Sequence, residues 1–142
     1  MPFLVIFLDI TKSFDTVDHK LLLNALERIR IRVVALDLLS NFLSNRTQYV
    51  KVSENKSSIR ILKHGVPQGT VLGPLLFNIY LNDLYLMMTK GHIVSYADDT
   101  AVIYHSESWA QLNDIVQTDF AEVITRFDAR HLTISFSYTN LR

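Results

Sequence analysis

Three patterns of hydrophobic and polar positions run along this chain. The first is a continuous apolar run, Phe3-Leu4-Val5-Ile6-Phe7-Leu8, which predicts a central strand covered on both faces. The second has helical spacing. Leu22, Ala25, Leu26 and Ile29 fall at i, i+3, i+4 and i+7 and predict a helix over about residues 17–30, with Asp15 or Thr16 before it and Asp15 the expected cap. Ala35, Leu38, Leu39, Phe42 and Leu43 repeat the pattern over about residues 33–43. A third helix, entered through Pro74, carries Leu72, Leu75, Leu76, Ile79, Tyr80, Asp83 and Leu84 on one stripe. Phe77, Leu81, Leu86 and Met87 fill its other side, so this helix should be largely buried. A fourth helix, capped by Ser106 or Ser108, places Trp109, Leu112, Val116, Phe120, Val123, Ile124 and Phe127 on its core face. The third pattern is strand alternation. Residues 48–53 and 59–63 alternate around a polar turn at 54–58 and predict a β-hairpin. Two β-branched and aromatic runs, 92–96 and 100–104, flank Ala97-Asp98-Asp99 and predict a second hairpin. Residues 132–136 read as a final short strand. No internal repeat, linker or low-complexity tract interrupts the series.

Composition narrows the picture. The 142 residues are one domain's worth of chain, and 49% hydrophobic against 20% charged residues exclude a disordered segment. Lys+Arg and Asp+Glu are both 14, so no overall charge attracts the chain to nucleic acid. The absence of cysteine excludes disulfides and thiolate metal sites. The run at 3–8 is too short to span a bilayer, and it lacks the basic leader and cleavage site of a signal peptide. Because the chain starts almost inside a strand and reaches Arg142 without an obvious terminal element, it is expected to be a segment of something longer. The cations of the first hairpin, Arg46, Lys51, Lys56, Arg60 and Lys63, suit either a phosphate backbone or a plain solvated surface, the commoner fate of exposed charge.

Candidate chemistry centres on the second hairpin. Taken alone, Asp98-Asp99 is most simply an acidic turn. The alternative is a rigid hairpin that presents two carboxylates to divalent metal ions, which requires a third carboxylate and a place for phosphates. Asp9, at the end of the apolar strand, either terminates that strand or supplies the third carboxylate. The stretch His64-Gly65-Val66-Pro67-Gln68-Gly69-Thr70-Val71-Leu72-Gly73-Pro74 holds three of the chain's four glycines and two of its three prolines. Such a backbone is tight and closely approachable, and it holds Gln68 firmly between Pro67 and Gly69.

Strand–carboxylate–helix, Gly/Pro loop into a buried helix, then an Asp-Asp hairpin: this order resembles the palm of a reverse transcriptase, an RNA-directed DNA polymerase, of the non-LTR (LINE-type) retrotransposon group. Phe7-Leu8-Asp9-Ile10-Thr11-Lys12-Ser13-Phe14-Asp15-Thr16-Val17-Asp18-His19 is similar to the family's first palm motif. Gly65 through Phe77, with Asn82-Asp83 after it, is similar to the second, and Tyr96-Ala97-Asp98-Asp99-Thr100 to the third. The resemblance covers nearly the whole chain and implies an α+β fold, an antiparallel sheet packed on helices with a catalytic β-hairpin. It implies that residues 1–142 are a partial reverse transcriptase domain, the palm, with fingers, thumb and endonuclease lying outside it. The reaction implied is attack of a primer 3′-hydroxyl on a dNTP, directed by an RNA template and assisted by two Mg²⁺ (or Mn²⁺) ions about 3.5–4 Å apart. Asp9 and Asp98 would bridge the metals, with Asp99 as the third, less direct carboxylate. Phe14 would sit under the incoming sugar and exclude a ribose 2′-hydroxyl, unless it is ordinary packing. Gln68 would contact the nucleotide, and Ile10, Thr11, Lys12 and Ser13 would offer backbone N–H groups beside the triphosphate. Partners would be an RNA template, a DNA primer and dNTPs, with no membrane. The parent element would work inside the cell, in cytoplasm and nucleus.

Some positions depart from the family pattern. The glycine usual between the first two helices is replaced by Arg30-Ile31-Arg32-Val33, and the distal motif carries Ser135 and Tyr138 where the family has asparagine and lysine. That lysine is thought to assist the pyrophosphate leaving group. The chain alone is therefore expected to be inactive, and a non-catalytic, decayed or domesticated remnant is the alternative. Viral RNA polymerases usually carry Gly where this chain has Ala97, and the long Gly65–Phe77 motif sets it apart from group II intron maturases.

Overall fold

The structure, a computed structural model, describes residues 1–86, 90–96 and 98–141, without the side chains of Asp83, Asn140 and Leu141. The expectations for Met87, Ala97, Arg142 and the Asp83 side chain lie outside the described residues. The apolar run forms β1, Phe3–Ile10, and it is central as expected. It pairs antiparallel with β7, Asp99–His105, on one side and with β8, Ile134–Leu141, on the other. β6, His92–Tyr96, pairs antiparallel with the far edge of β7, so the sheet order is β6-β7-β1-β8. This is the α+β arrangement expected of the chain.

Only one face of β1 is covered, which corrects the expectation of two. Ile6, Leu8 and Ile10 are buried in a core with Val102 and Tyr104 of β7, while Phe7, on the opposite face, is 49% exposed. The continuous apolar run therefore reflects an open apolar face as well as a packed one. β8 also exceeds its expected length. It runs alongside all of β1, from Ile10↔Ile134 to Phe3↔Leu141, so the expected final strand begins two residues later and extends to Leu141.

Four helices lie on the covered side, one of them at its margin. α1, His19–Arg28, buries Leu22, Ala25 and Leu26. Its cap is Asp18, whose carboxylate accepts the Leu21 N–H at 3.0 Å; the expected cap, Asp15, is used elsewhere. α2, Val34–Leu43, packs on α1 at the margin and buries only Leu43. α3, Leu72–Leu86, buries Leu76, Phe77, Tyr80, Leu81 and Leu84, but Leu75 and Leu86 are exposed, so it is less enclosed than its composition suggested. α4, Trp109–Ala129, is capped by Ser108, which accepts the Gln111 N–H. It buries Leu112, Phe120, Val123 and Phe127, while Trp109, at its solvent end, is 48% exposed.

Tyr80 joins three of these pieces. Its hydroxyl donates to Arg130 O at 2.6 Å and accepts the Asp18 N–H, tying the start of α1 to the end of α4. Tyr104 donates to the buried Asp119 carboxylate at 2.9 Å and anchors α4 to β7. Burial raises the pKa of both phenols, and beside Tyr104 the Asp119 carboxylate adds to the effect. Among the described residues no helix is long and apolar enough to cross a membrane.

The first hairpin breaks into short ladders. β2, Thr47–Gln48, pairs with β5, Arg60–Ile61, and β3, Lys51–Val52, pairs with β4, Asn55–Lys56. Val52↔Asn55 closes the turn at Ser53-Glu54, with Ser53 left-handed, and not over the expected 54–58. The Ser57 hydroxyl, by taking the Val50 N–H, supplies one reason the ladder is interrupted.

Candidate active site

Two strands with one register build the candidate site. Cross-strand partners project from the same face of a sheet. Asp9, the penultimate residue of β1, stands opposite Asp99 on β7 and opposite Ser135 on β8. Asp9, Asp99, Ser135 and Ser137 line one open concavity of about 640 Å³ with Phe7 and Tyr96. It occupies the uncovered face of the sheet, at the end where the second hairpin turns.

Tyr96↔Asp99 closes that hairpin, which leaves Asp98 in the turn. There the buried Ser13 donates its hydroxyl to Asp98 Oδ2 at 3.3 Å. Behind the turn, the buried Thr100 hydroxyl meets Tyr85 of α3 at 2.8 Å, fixing the hairpin against the helix layer. The register thus sets Asp99, and not Asp98, directly across from Asp9, with Asp98 one position further into the turn.

The donors suit a hard cation. All three are carboxylates, the ligand type preferred by Mg²⁺ and Mn²⁺. Asp9 and Asp99 share a face and a concavity open enough for a polyphosphate. Among the described residues, however, no three His, Cys, Asp or Glu side chains are grouped closely enough to hold a metal ion.

The remaining expected residues divide into two groups. Phe14 is half-buried and stacked on the fully buried Phe77, centroids 4.7 Å apart, so packing accounts for at least part of its presence. Gln68 is exposed and donates from Nε2 to Asp15 Oδ1 at 3.1 Å. Lys12, left-handed at φ 49°, joins Asp15, Arg46, His64 and Gln68 around a second, smaller concavity. Ile10 puts its side chain in the core, and the Thr11 N–H donates to Thr133 O, so Thr11 spends its donor on the sheet end. Of the hairpin cations, Arg46 alone lines this concavity; Lys51, Lys56, Arg60 and Lys63 are exposed.

Sequence reasoning gave no role in the site to Asp15, His19 or Tyr85. Asp15 looked like a helix cap, and nothing local distinguishes a cap from a long-range acceptor. Ser135 stands out in sequence only as a departure from the family pattern; the β8 register is what sets it beside Asp9.

Comparison with known proteins agrees with this architecture. Residues 3–140 match the family model described as reverse transcriptase (RNA-dependent DNA polymerase). The chain is 40% identical over 109 residues to the RNA-directed DNA polymerase from mobile element jockey of Drosophila melanogaster, covering 72% of this chain and 12% of that protein. It is 29% identical over 145 residues to the Pol polyprotein from the type-1 retrotransposable element R2 of Popillia japonica, covering 92% of this chain and 19% of that one. The apo telomerase structure from Candida tropicalis superposes with a TM-score of 0.68, covering 99% of this chain and 31% of that chain; at 14% identity this shows the fold alone. The chain therefore spans only a small part of the length of the curated relatives it matches. It belongs to the reverse transcriptase family, with the polymerases of non-LTR retrotransposons among its relatives.

Proposed function

We propose that this chain is the palm of a LINE-type RNA-directed DNA polymerase, and that it carries the carboxylates at which a primer 3′-hydroxyl is joined to a dNTP on an RNA template. The observation that carries this reading is the Asp9↔Asp99 register on an open sheet face, with Asp98 in the adjoining turn. A cross-strand pair of like charges costs stability, so a fold that keeps one has a use for it. Asp9, Asp98 and Asp99 would hold Mg²⁺ or Mn²⁺, which when bound stabilises charge on the attacking and leaving oxygens.

The chain's own residues have separate tasks. Ser13 holds the Asp98 carboxylate by hydrogen bond, and Tyr85 with Thr100 steadies the hairpin. Gln68 contacts the nucleotide. Phe14, backed by Phe77, limits space beneath the sugar, and the backbone over residues 10–13 lies beside the triphosphate. The open face receives the primer–template duplex. Fingers, thumb and endonuclease belong to the remaining length of the parent polyprotein, since the chain corresponds to about an eighth of the jockey enzyme.

The alternative is a non-catalytic remnant. One observation favours it: Tyr138 pairs with Ile6 and lies on the helix-side face, while Ser135, Ser137 and Thr139 face the carboxylate side, so β8 offers that side no cation. RNA-templated primer extension by a protein that includes these residues with its fingers and thumb decides between the two. Incorporation that requires a divalent cation and stops with EDTA is expected. A folded protein that incorporates nothing under these conditions supports the remnant.

A further inference from the structure

The Gln68 loop is seated on the first motif along its length. The Val66 N–H donates to Phe14 O and the Gly65 N–H to Val17 O, both at 2.8 Å. The His19 ring meets Gly65 O through Nε2 at 2.7 Å, and His64 forms a bridge with Asp18. Gly65 is left-handed at φ 93°, and a Cβ there would lie 3.0 Å from both Asp15 Cα and Phe14 O, so the two backbones touch. At the tip of this seat, Gln68 Nε2 donates to Asp15 Oδ1 across 53 residues of sequence.

A carboxylate only accepts hydrogen bonds, so Asp15 dictates which end of the Gln68 amide faces it. Nε2 must turn toward Asp15, and Oε1 is turned away. We propose that Asp15 is a positioning residue: it orients the Gln68 amide so that a carbonyl oxygen faces the nucleotide, on a loop that His19 pins through Gly65. This rests on the reading of Gln68 as a nucleotide contact. The substrate group met by Gln68 is then a hydrogen-bond donor. Asp15 acts through Gln68 and does not touch the substrate itself.

The test is a double-mutant cycle on nucleotide kinetics in the polymerase-length protein that contains this chain. Asp15→Ala and Gln68→Ala should each raise the dNTP KM by about three- to tenfold, the worth of one ordered hydrogen bond, with kcat changed less than about twofold. The double variant should be no worse than Gln68→Ala alone, and Asp15→Asn, which can donate as well as accept and so no longer dictates the orientation of the amide, should recover only part of the loss. Losses that multiply in the double variant overturn the inference. So does an unimpaired Asp15→Ala beside an impaired Gln68→Ala, which leaves the nucleotide role of Gln68 standing. An unimpaired Gln68→Ala overturns both. A second readout, independent of catalysis, is the side-chain amide resonance of Gln68 in the 142-residue chain. It should shift to the position of a solvated amide in Asp15→Ala; no shift in Asp15→Ala overturns the inference.

Discussion

Asp9 and Asp99 face each other across adjacent strands. Like charges directly opposite destabilise a sheet by about 0.2–1 kcal/mol, less where salt screens them. Asp9→Asn is therefore expected to raise the melting temperature of the chain slightly at low salt, with the gain shrinking as salt is added. A lowered melting temperature would show that the pair is structural and not strained. Tyr104 presents the opposite case. Its phenol is buried against Asp119, and both it and Tyr80 have pKa values raised above the ordinary 10.0. The fold favours their protonated forms, so their contribution to stability is full below the ordinary value and falls as pH rises above it. Melting temperature followed into alkali should be level with respect to these groups and then decline. Tyr104→Phe should cost about 1–3 kcal/mol at neutral pH by removing a donor from a buried carboxylate, and it should make the alkaline decline shallower.

At the scale of elements, the Gly/Pro stretch is specified by close approach as much as by turn geometry. A Cβ on Gly73 would lie 2.3 Å from Pro67 O, and the Thr70 hydroxyl fills the remaining space by donating to Pro67 O and accepting the Gly73 N–H. Gly73→Ala should displace the loop and lower the melting temperature more than Ser108→Ala, a helix-cap loss worth about 0.5–2 kcal/mol. An equal or smaller effect would place the strain elsewhere. Elements like this one were legible because their chemistry is local: Pro74 opens a helix, Ser108 caps one, and period-2 runs flank an acidic turn. What was not legible depends on pairing. The apolar run at 3–8 cannot say that one of its faces is open, because Phe7 and Leu8 look alike until β7 and β8 are in register. The alternation of Ile134-Ser135-Phe136 continues through Tyr138-Thr139 and ends there, and β1 is what holds the strand extended to Leu141. The same holds for the site: the carboxylates were named from motif order, but which one faces Asp9 is set by a ladder.

At the scale of the whole molecule, the helices cover one side of the sheet and the other carries Phe7, Tyr96, Asp9 and Asp99 to the surface. Among the described residues, no lobe stands over that open side to grip a duplex or close over a triphosphate. The 142-residue chain alone should therefore show no RNA-templated primer extension with Mg²⁺ or Mn²⁺. The most direct test of the account compares wild type with Asp98→Asn in the polymerase-length protein, measuring divalent-dependent dNTP incorporation on an RNA template alongside circular dichroism. The account expects incorporation by the wild type, and its loss in Asp98→Asn with the fold unchanged. Synthesis retained by a folded Asp98→Asn variant would contradict it.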